Sequence, residues 1–319
     1  MKIFVAGASG AIGRRAVPAL LRRGHDVTAL VHSSESAATL EAMGARLARG
    51  NLFDPAAMRH SVAGHDVVIN LATRIPIGSA AIRAKAWRED DLIRTEGSKV
   101  LARAAMDAGV ARFIQESVSF VYPDSGETWI TEAATTPTPN PRSQRPTTEA
   151  ATNAILFAGH QGVGVVLRFG QLYGPDRASA EILRRTRARK PVVLGKPDGW
   201  LTPLHPDDAA LAVAAALACG SGVYNVGESP VRRSAWAYAI QRASGDPSGR
   251  SARFYPALLQ RLAGPRAEPL TRSHRVSCAA FHDATGWRAR YDATGGGWSS
   301  VPALQVHGSR DIRELGMTA

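Results

Sequence analysis

The chain opens on a short apolar run, Ile3-Phe4-Val5-Ala6, that passes directly into Gly7-Ala8-Ser9-Gly10-Ala11-Ile12-Gly13. A buried strand that turns on glycine into a helix begins a βαβ unit, and the G-x-x-G-x-x-G spacing indicates what the turn holds. Gly7 permits the tight bend, Gly10 lets the backbone approach a pyrophosphate, and Gly13 allows helix and sheet to pack closely. Ser9, Ala11 and Ile12 complete the cradle, since free amides at a helix N-terminus face an anion. The expected ligand of this turn is a dinucleotide.

The rest of the first half keeps the same rhythm. The pattern predicts a first helix over 11–23 closed by Gly24, and strands over 26–31, 67–71, 113–115 and 163–167. A helix over 96–108 places Leu101, Ala105 and Ala108 on one face and ends at Gly109. Pro18 falls inside the first helix and is expected to kink it, because it removes a hydrogen bond. Such alternation predicts an α/β fold, a doubly wound Rossmann parallel sheet with a smaller C-terminal substrate lobe. The dinucleotide-binding domain is expected over 1–174, its core taking back about 202–228, with the remainder of 175–319 mostly lobe. Residues 132–147, rich in Pro, Thr, Asn and Ser, read as a surface loop. The tail beyond about Val306 is polar.

Composition narrows the function classes. At 45% hydrophobic and 21% charged, the 319 residues are those of an ordinary soluble protein. No apolar run approaches the roughly 20 residues that cross a bilayer, and the N-terminus has no cleavable apolar region. Cys219 and Cys278 cannot build a disulfide framework and lack metal-ligand spacing. A cytoplasmic protein with no membrane association and no metal is expected. The net charge of +12 invites a nucleic-acid reading, but the arginines are scattered. The one dense run, Arg184 to Lys190, has no aromatic residue for stacking bases. It reads as a solvated helix face or as a rim attracting an acidic substrate. The expected partner is a small-molecule substrate, not nucleic acid, and the expected state is a monomer or homodimer.

The second strand discriminates between cofactors. Where NAD is gripped, a carboxylate at its end takes the ribose hydroxyls. Here it ends Ala29-Leu30-Val31-His32-Ser33-Ser34, with no acid. His32, Ser33 and Ser34, together with Arg14, can instead surround a 2′-phosphate, for which the planar guanidinium fork is suited. NADP is therefore expected, with NAD possible.

An ordered series of segments now carries a resemblance along nearly the whole chain: MKIFVAGASGAIG, VVINLAT, RTEGSKVLARAA, RFIQESVSFVY, VVLRFGQLYGP, LHPDDAALAV, GVYNVGESP and the late TGW. The chain resembles the extended short-chain dehydrogenase/reductase superfamily, which includes NAD-dependent sugar epimerases and dehydratases. The resemblance implies that Asn51, where aspartate is usual, and Leu52 lie by the adenine. It implies that Leu71, Ala72 and Thr73 line the nicotinamide ribose and that Leu172 and Tyr173 approach the nicotinamide end. It assigns the lobe to about 175–203 and 229–310, with 202–210 returning to the core.

The family's chemistry rests on a Ser or Thr and a Tyr-x-x-x-Lys pair, and this chain departs from both. Val118 stands at the serine position, and no tyrosine occurs between Tyr122 and Tyr173. Arg145 and Glu149 stand roughly where the tyrosine and lysine belong. Hydride transfer needs only the cofactor and a positioned acceptor, yet a proton donor must be found. The candidates are Tyr122, Glu149, Ser117, Ser119 and Tyr173. Each has a plainer role: the tyrosines as packing residues with a satisfied hydroxyl, Glu149 as an acid in the first turn of a helix. Three readings follow. One is an NADP-dependent oxidoreductase of small organic molecules with a non-standard acid/base group. Another is a non-redox enzyme of the same fold, a cyclase, epimerase or dehydratase. The third is a non-catalytic NADP-binding sensor or regulator.

Overall fold

The computed structural model describes residues 1–302 except 78–79, 82, 137–143, 161, 247, 263 and 266. Seven strands form its central sheet: β1 (Lys2–Ala6), β2 (Asp26–Val31), β3 (Arg46–Arg49), β4 (Val67–Asn70), β5 (Arg112–Val118), β6 (Val163–Phe169) and β7 (Gly222–Val226). All six pairings are parallel, in the order β7-β6-β5-β4-β1-β2-β3. β1 and β4 are buried almost throughout, as strands covered by helices on both faces must be. The chain winds outward from β1 through β2 to β3, then returns to lay β4 on the other side of β1. Connections leave these two neighbours in opposite directions, which opens a crevice at their C-terminal ends.

On one face Ile3, Val5, Ile69, Ile114, Val165 and Leu167 pack under helices α1 (Gly13–Leu21) and α2 (Ser34–Ala42). On the other, Phe4, Val68, Phe113 and Val166 pack under α3 (Pro55–Val62) and a long helical run. That run comprises α4 (Arg88–Leu92), a π-turn (Ile93–Gly97) and α5 (Ser98–Asp107), and α6 (Arg145–Ala158) lies beside it. A separate apolar cluster, including Leu183, Val193, Trp236, Ile240 and Trp298, joins α7 (Arg177–Arg187) to a later helix, Arg233–Ser244. The first face is completed by α8 (Pro206–Ala215), which packs against α1.

Several expectations are revised. α1 runs through Pro18 to Leu21, and Arg22 still donates to the Pro18 carbonyl, so the proline removes one bond without ending the helix. The helix Ala279–Thr285, expected in the lobe, packs instead on the sheet. Its Phe281 meets Tyr224 and Trp287, with ring centroids 5.8 and 5.5 Å away. The basic run is largely engaged internally. Arg184 pairs with Glu181 at 2.6 Å and Arg189 with Asp246 at 2.8 Å, while Arg185 donates to Tyr255 Oη. Part of the expected 132–147 loop and the tail beyond Val306 lie outside the described residues. Among the described residues no helix is long and apolar enough to cross a membrane.

Candidate functional site

The glycine turn stands at the mouth of the crevice. Gly7 has φ +77°, and a Cβ there would sit 2.4 Å from the Leu71 carbonyl carbon, so the turn presses on the end of β4. Gly13 is equally confined, with a Cβ falling 2.1 Å from the Gly7 carbonyl oxygen. Gly10 differs. Its nearest neighbour would be that same carbonyl oxygen at 3.3 Å, and Ser9, Gly10 and Ala11 are exposed. The amides of Ser9, Ala11 and Ile12 take no acceptor among the described residues. Free donors around a position with no side chain make a cradle for an anion.

Facing the turn, the Leu71 amide donates to the Ala6 carbonyl at 2.9 Å and the Ala72 amide to Asn70 Oδ1 at 3.2 Å. Leu71 is buried, and Ala72 and Thr73 are half-buried. Asn51 is exposed, with its Oδ1 accepting from the Phe53 amide at 3.0 Å. Leu52 packs beside Gly97, where a Cβ would meet its Cδ2 at 2.8 Å. At the end of β2 His32 is exposed, and Ser33 caps α2 by accepting from the Ser36 amide at 3.3 Å. Arg14 is half-buried with Nη2 3.5 Å from the Pro175 carbonyl, and burial lowers its pKa. No contact joins it to His32 or Ser33 among the described residues.

A buried charged cluster next to the loop that leaves β4 was not anticipated from the sequence. Arg94, in the π-turn, donates through Nη1 and Nη2 to Glu116 of β5 at 2.9 and 3.3 Å, and through Nε to Asp90 at 2.9 Å. Asp90 Oδ1 in turn accepts from the Arg74 amide at 2.7 Å, fixing the loop that leaves β4. All three side chains are buried. Burial works against the guanidinium charge, but Glu116 and Asp90 on either side raise the Arg94 pKa. The signal was present: a glutamate inside the strand Phe-Ile-Gln-Glu-Ser-Val must find a buried cation.

The structure redistributes the proton-donor candidates. Val118, at the family's serine position, ends β5 half-buried. Ser117 and Ser119 on either side are buried, and Ser117 Oγ has no partner among the described residues. Tyr122 is fully buried, donating to Asn225 Oδ1 at 2.8 Å and accepting from Arg168 Nη1 at 2.7 Å. Burial raises its phenol above the usual value, against Arg168 and Asn225. Its carbonyl also accepts from Arg272 Nη1 and His274 Nε2. Tyr122 is therefore a structural tie with both hydroxyl functions occupied, which corrects the expectation of a proton donor here. Tyr173 is likewise withdrawn into the lobe cluster, between Trp236, Trp298 and His205, where burial and Glu228 raise its phenol. Of the five, only Glu149 presents a reactive group at the surface. It sits one turn into α6, 2.6 Å from Arg145 Nε, with side chains 38% and 74% exposed.

Beside α8, a buried polar group holds the C-terminal segment. Asp208 Oδ2 accepts from the amides of Arg290 and Tyr291 at 2.8 and 2.9 Å, and Glu228 Oε2 from Ala293 at 2.8 Å. Burial pushes the Glu228 carboxyl up to about 7. His205 Nδ1 accepts from the Asp207 amide and its Nε2 donates to Ser300 Oγ; burial holds it down to about 4.

Comparison with known proteins adds four findings. The model of the NAD dependent epimerase/dehydratase family matches residues 3–227. A 3-diazoavenalumate denitrifying reductase from a Streptomyces species is 30% identical over 302 residues, covering 90% of this chain and 96% of that protein. A UDP-glucose 4-epimerase of Thermotoga maritima, solved with UDP-glucose, superposes with a TM-score of 0.74 at 20% identity, covering 94% and 97%. A UDP-glucuronic acid 4-epimerase of Bacillus cereus, solved with NAD and UDP-glucuronic acid, gives 0.73 at 18%, covering 94% and 98%. At these identities the two structures bear on the fold.

Proposed function

Since this chain belongs to the NAD-dependent epimerase/dehydratase family, we propose that it is an NADP-dependent oxidoreductase acting on a small organic molecule, with a proton donor other than tyrosine. The observation that carries the reading is the cradle itself: Gly10 open on its outer side, flanked by free amides, on a turn whose Gly7 presses on Leu71 and Ala72. The residues present fit a dinucleotide. When bound, the nicotinamide supplies or accepts the hydride. The amides of Ser9, Ala11 and Ile12 hold the pyrophosphate, Ala72 and Thr73 border the ribose, and Asn51 and Leu52 the adenine. His32, Ser33 and Arg14 favour a 2′-phosphate, and the absence of an acid at positions 32–34, directly after Val31, supports this over NAD.

The acid/base role falls to Glu149, whose carboxylate, paired with Arg145, takes a proton from solvent before it passes one to the substrate. Its exposed ion pair with Arg145 is worth little in water, so a substrate can open it at small cost. Val118 stands at the family's serine position without a hydroxyl, so a substrate oxygen is oriented there by some other group. Two free cysteines suit a reducing cytoplasm. A monomer or homodimer suffices for this site.

The test is NADPH fluorescence on mixing, followed by loss of NADPH absorbance with a panel of aldehydes, ketones and enones. The expected result is binding of NADPH at least about tenfold tighter than NADH, with consumption in at least one substrate class. Glu149→Gln should then lower turnover by about 10²-fold and leave cofactor affinity intact. Equal affinities would refute the NADP assignment. The enclosed Tyr122 hydroxyl and the Arg145–Glu149 pair favour one second reading, a nucleotide sensor. Its mark is tight binding with no consumption under any condition.

A further inference from the structure

We propose that Arg15 is a positioning residue for the dinucleotide, fixing the glycine turn by tying it to the C-terminal part of the chain; the inference rests on the cofactor reading above. Arg15 lies two residues beyond Gly13, in the first turn of α1. Each nitrogen of its guanidinium has a different task. Nη1 donates to the Ala11 carbonyl at 2.8 Å, Nη2 to the Pro175 carbonyl at 3.2 Å, and Nε to Asp207 Oδ1 at 2.6 Å. The Arg15 side chain is 17% exposed; its bonds to Asp207 and Pro175 are partly buried, and its bond to Ala11 lies at the surface.

The Ala11 bond matters because of peptide geometry. The Ala11 carbonyl and the Ile12 amide belong to one planar trans peptide and point in opposite directions. Holding the oxygen from behind therefore sets the direction of the Ile12 N–H, one of the three free donors of the cradle. The planar fork can satisfy three acceptors at fixed angles, which an ammonium on a flexible stem cannot.

The other two bonds define what the turn is held against. Pro175 follows β6 by six residues, and Asp207 stands in the first turn of α8. Asp207 Oδ2 accepts from the Tyr291 hydroxyl at 3.2 Å, and Tyr291 stacks on His205 with ring centroids 3.5 Å apart. The orientation of the cradle thus depends on α8 and on the segment around Tyr291, both far away in sequence.

The experiment compares the parent with Arg15→Met, Arg15→Lys, Asp207→Asn and the Arg15→Met/Asp207→Asn double variant. It measures NADPH affinity by fluorescence titration and, without cofactor, amide exchange across residues 7–13. Arg15→Met is expected to weaken NADPH binding about tenfold and to raise exchange at Gly10, whose amide is bonded to the Gly7 carbonyl within the turn. Asp207→Asn should weaken binding by a smaller factor, and the double variant should be no weaker than Arg15→Met, because the two residues act through one link. Arg15→Lys should recover part of the loss. Parent affinity and unchanged exchange in a folded Arg15→Met protein would overturn the proposal. Should Arg15→Met fail to fold, Asp207→Asn carries the same comparison, and parent values in both measurements overturn it. Should the parent bind neither NADPH nor NADH, the cofactor reading fails by itself. The exchange at Gly10 then decides the positioning role, and no rise in the variants rejects it.

Discussion

The Tyr122 hydroxyl donates to Asn225 Oδ1 at 2.8 Å, joining the segment after β5 to β7. The same oxygen accepts from Arg168, whose guanidinium carbon lies 4.8 Å from the Tyr122 ring centroid. A phenol enclosed in this way is a structural bond. Tyr122→Phe leaves two buried groups short of a partner and is expected to cost about 1–3 kcal/mol of stability. NADPH affinity and turnover should change little. Urea unfolding beside a cofactor titration checks this; lost turnover at unchanged stability would restore Tyr122 as the acid.

Gly7 and Gly10 should respond differently to substitution. Gly10→Val meets only the Gly7 carbonyl, so stability should hold within about 1 kcal/mol while dinucleotide binding disappears. Gly7→Ala places a methyl against the Leu71–Ala72 backbone at positive φ. It should cost at least about 2 kcal/mol through strain and collision. Isothermal titration and thermal melts on both variants separate the roles, and unchanged affinity in Gly10→Val would remove the cradle from the site.

Arg94 is expected to be the most sensitive charged residue in the protein. Arg94→Met leaves Glu116 and Asp90 buried without their counter-ion, a loss of about 3–5 kcal/mol. Adding Glu116→Gln should return part of it, since the neutral amide removes one uncompensated charge. Additive losses in that pair of substitutions, measured by chemical unfolding, would mean that the two residues are not coupled.

Glu228 sets a pH dependence. Its carboxyl titrates near 7 when folded and near the usual 4.5 when unfolded, because burial disfavours the charged form. The folded chain therefore binds the extra proton between those values. This contribution to stability is full below pH 4.5 and is lost as pH rises through 7. Glu228→Gln keeps an acceptor for the Ala293 amide and removes the titration. Its stability relative to the parent should rise between pH 4.5 and 8, by about 3 kcal/mol at most. His205 and His274, both held near 4 by burial, act oppositely, losing stability as pH falls from 6.5 toward 4. They are common to both proteins and cancel in the difference. A flat difference from pH 4.5 to 8 would contradict the assignment.

What could be read from the sequence alone was what depends on neighbours in the chain. The run Ile3 to Ala6, the glycine spacing after it and the caps at Gly24 and Gly109 specify local backbone shape, and strand, turn and helix follow without reference to anything distant. The same holds for the missing acid after Val31 and for the Arg145–Glu149 pair, four residues apart on one helix. Strand β3 escaped because its two apolar residues are only half-buried, and helix α3 because Met58 and Val62 are its only large apolar residues, though both are buried. The functional assignments of Tyr122, Arg94 and Arg15 needed the tertiary structure. Their partners lie 103 residues away at Asn225, 22 at Glu116 and 192 at Asp207. A phenol is an acid, a packing group or a bond according to its partners and its access to water. Both are decided by which strands the sheet order sets side by side, a property of the folded chain that no local pattern encodes.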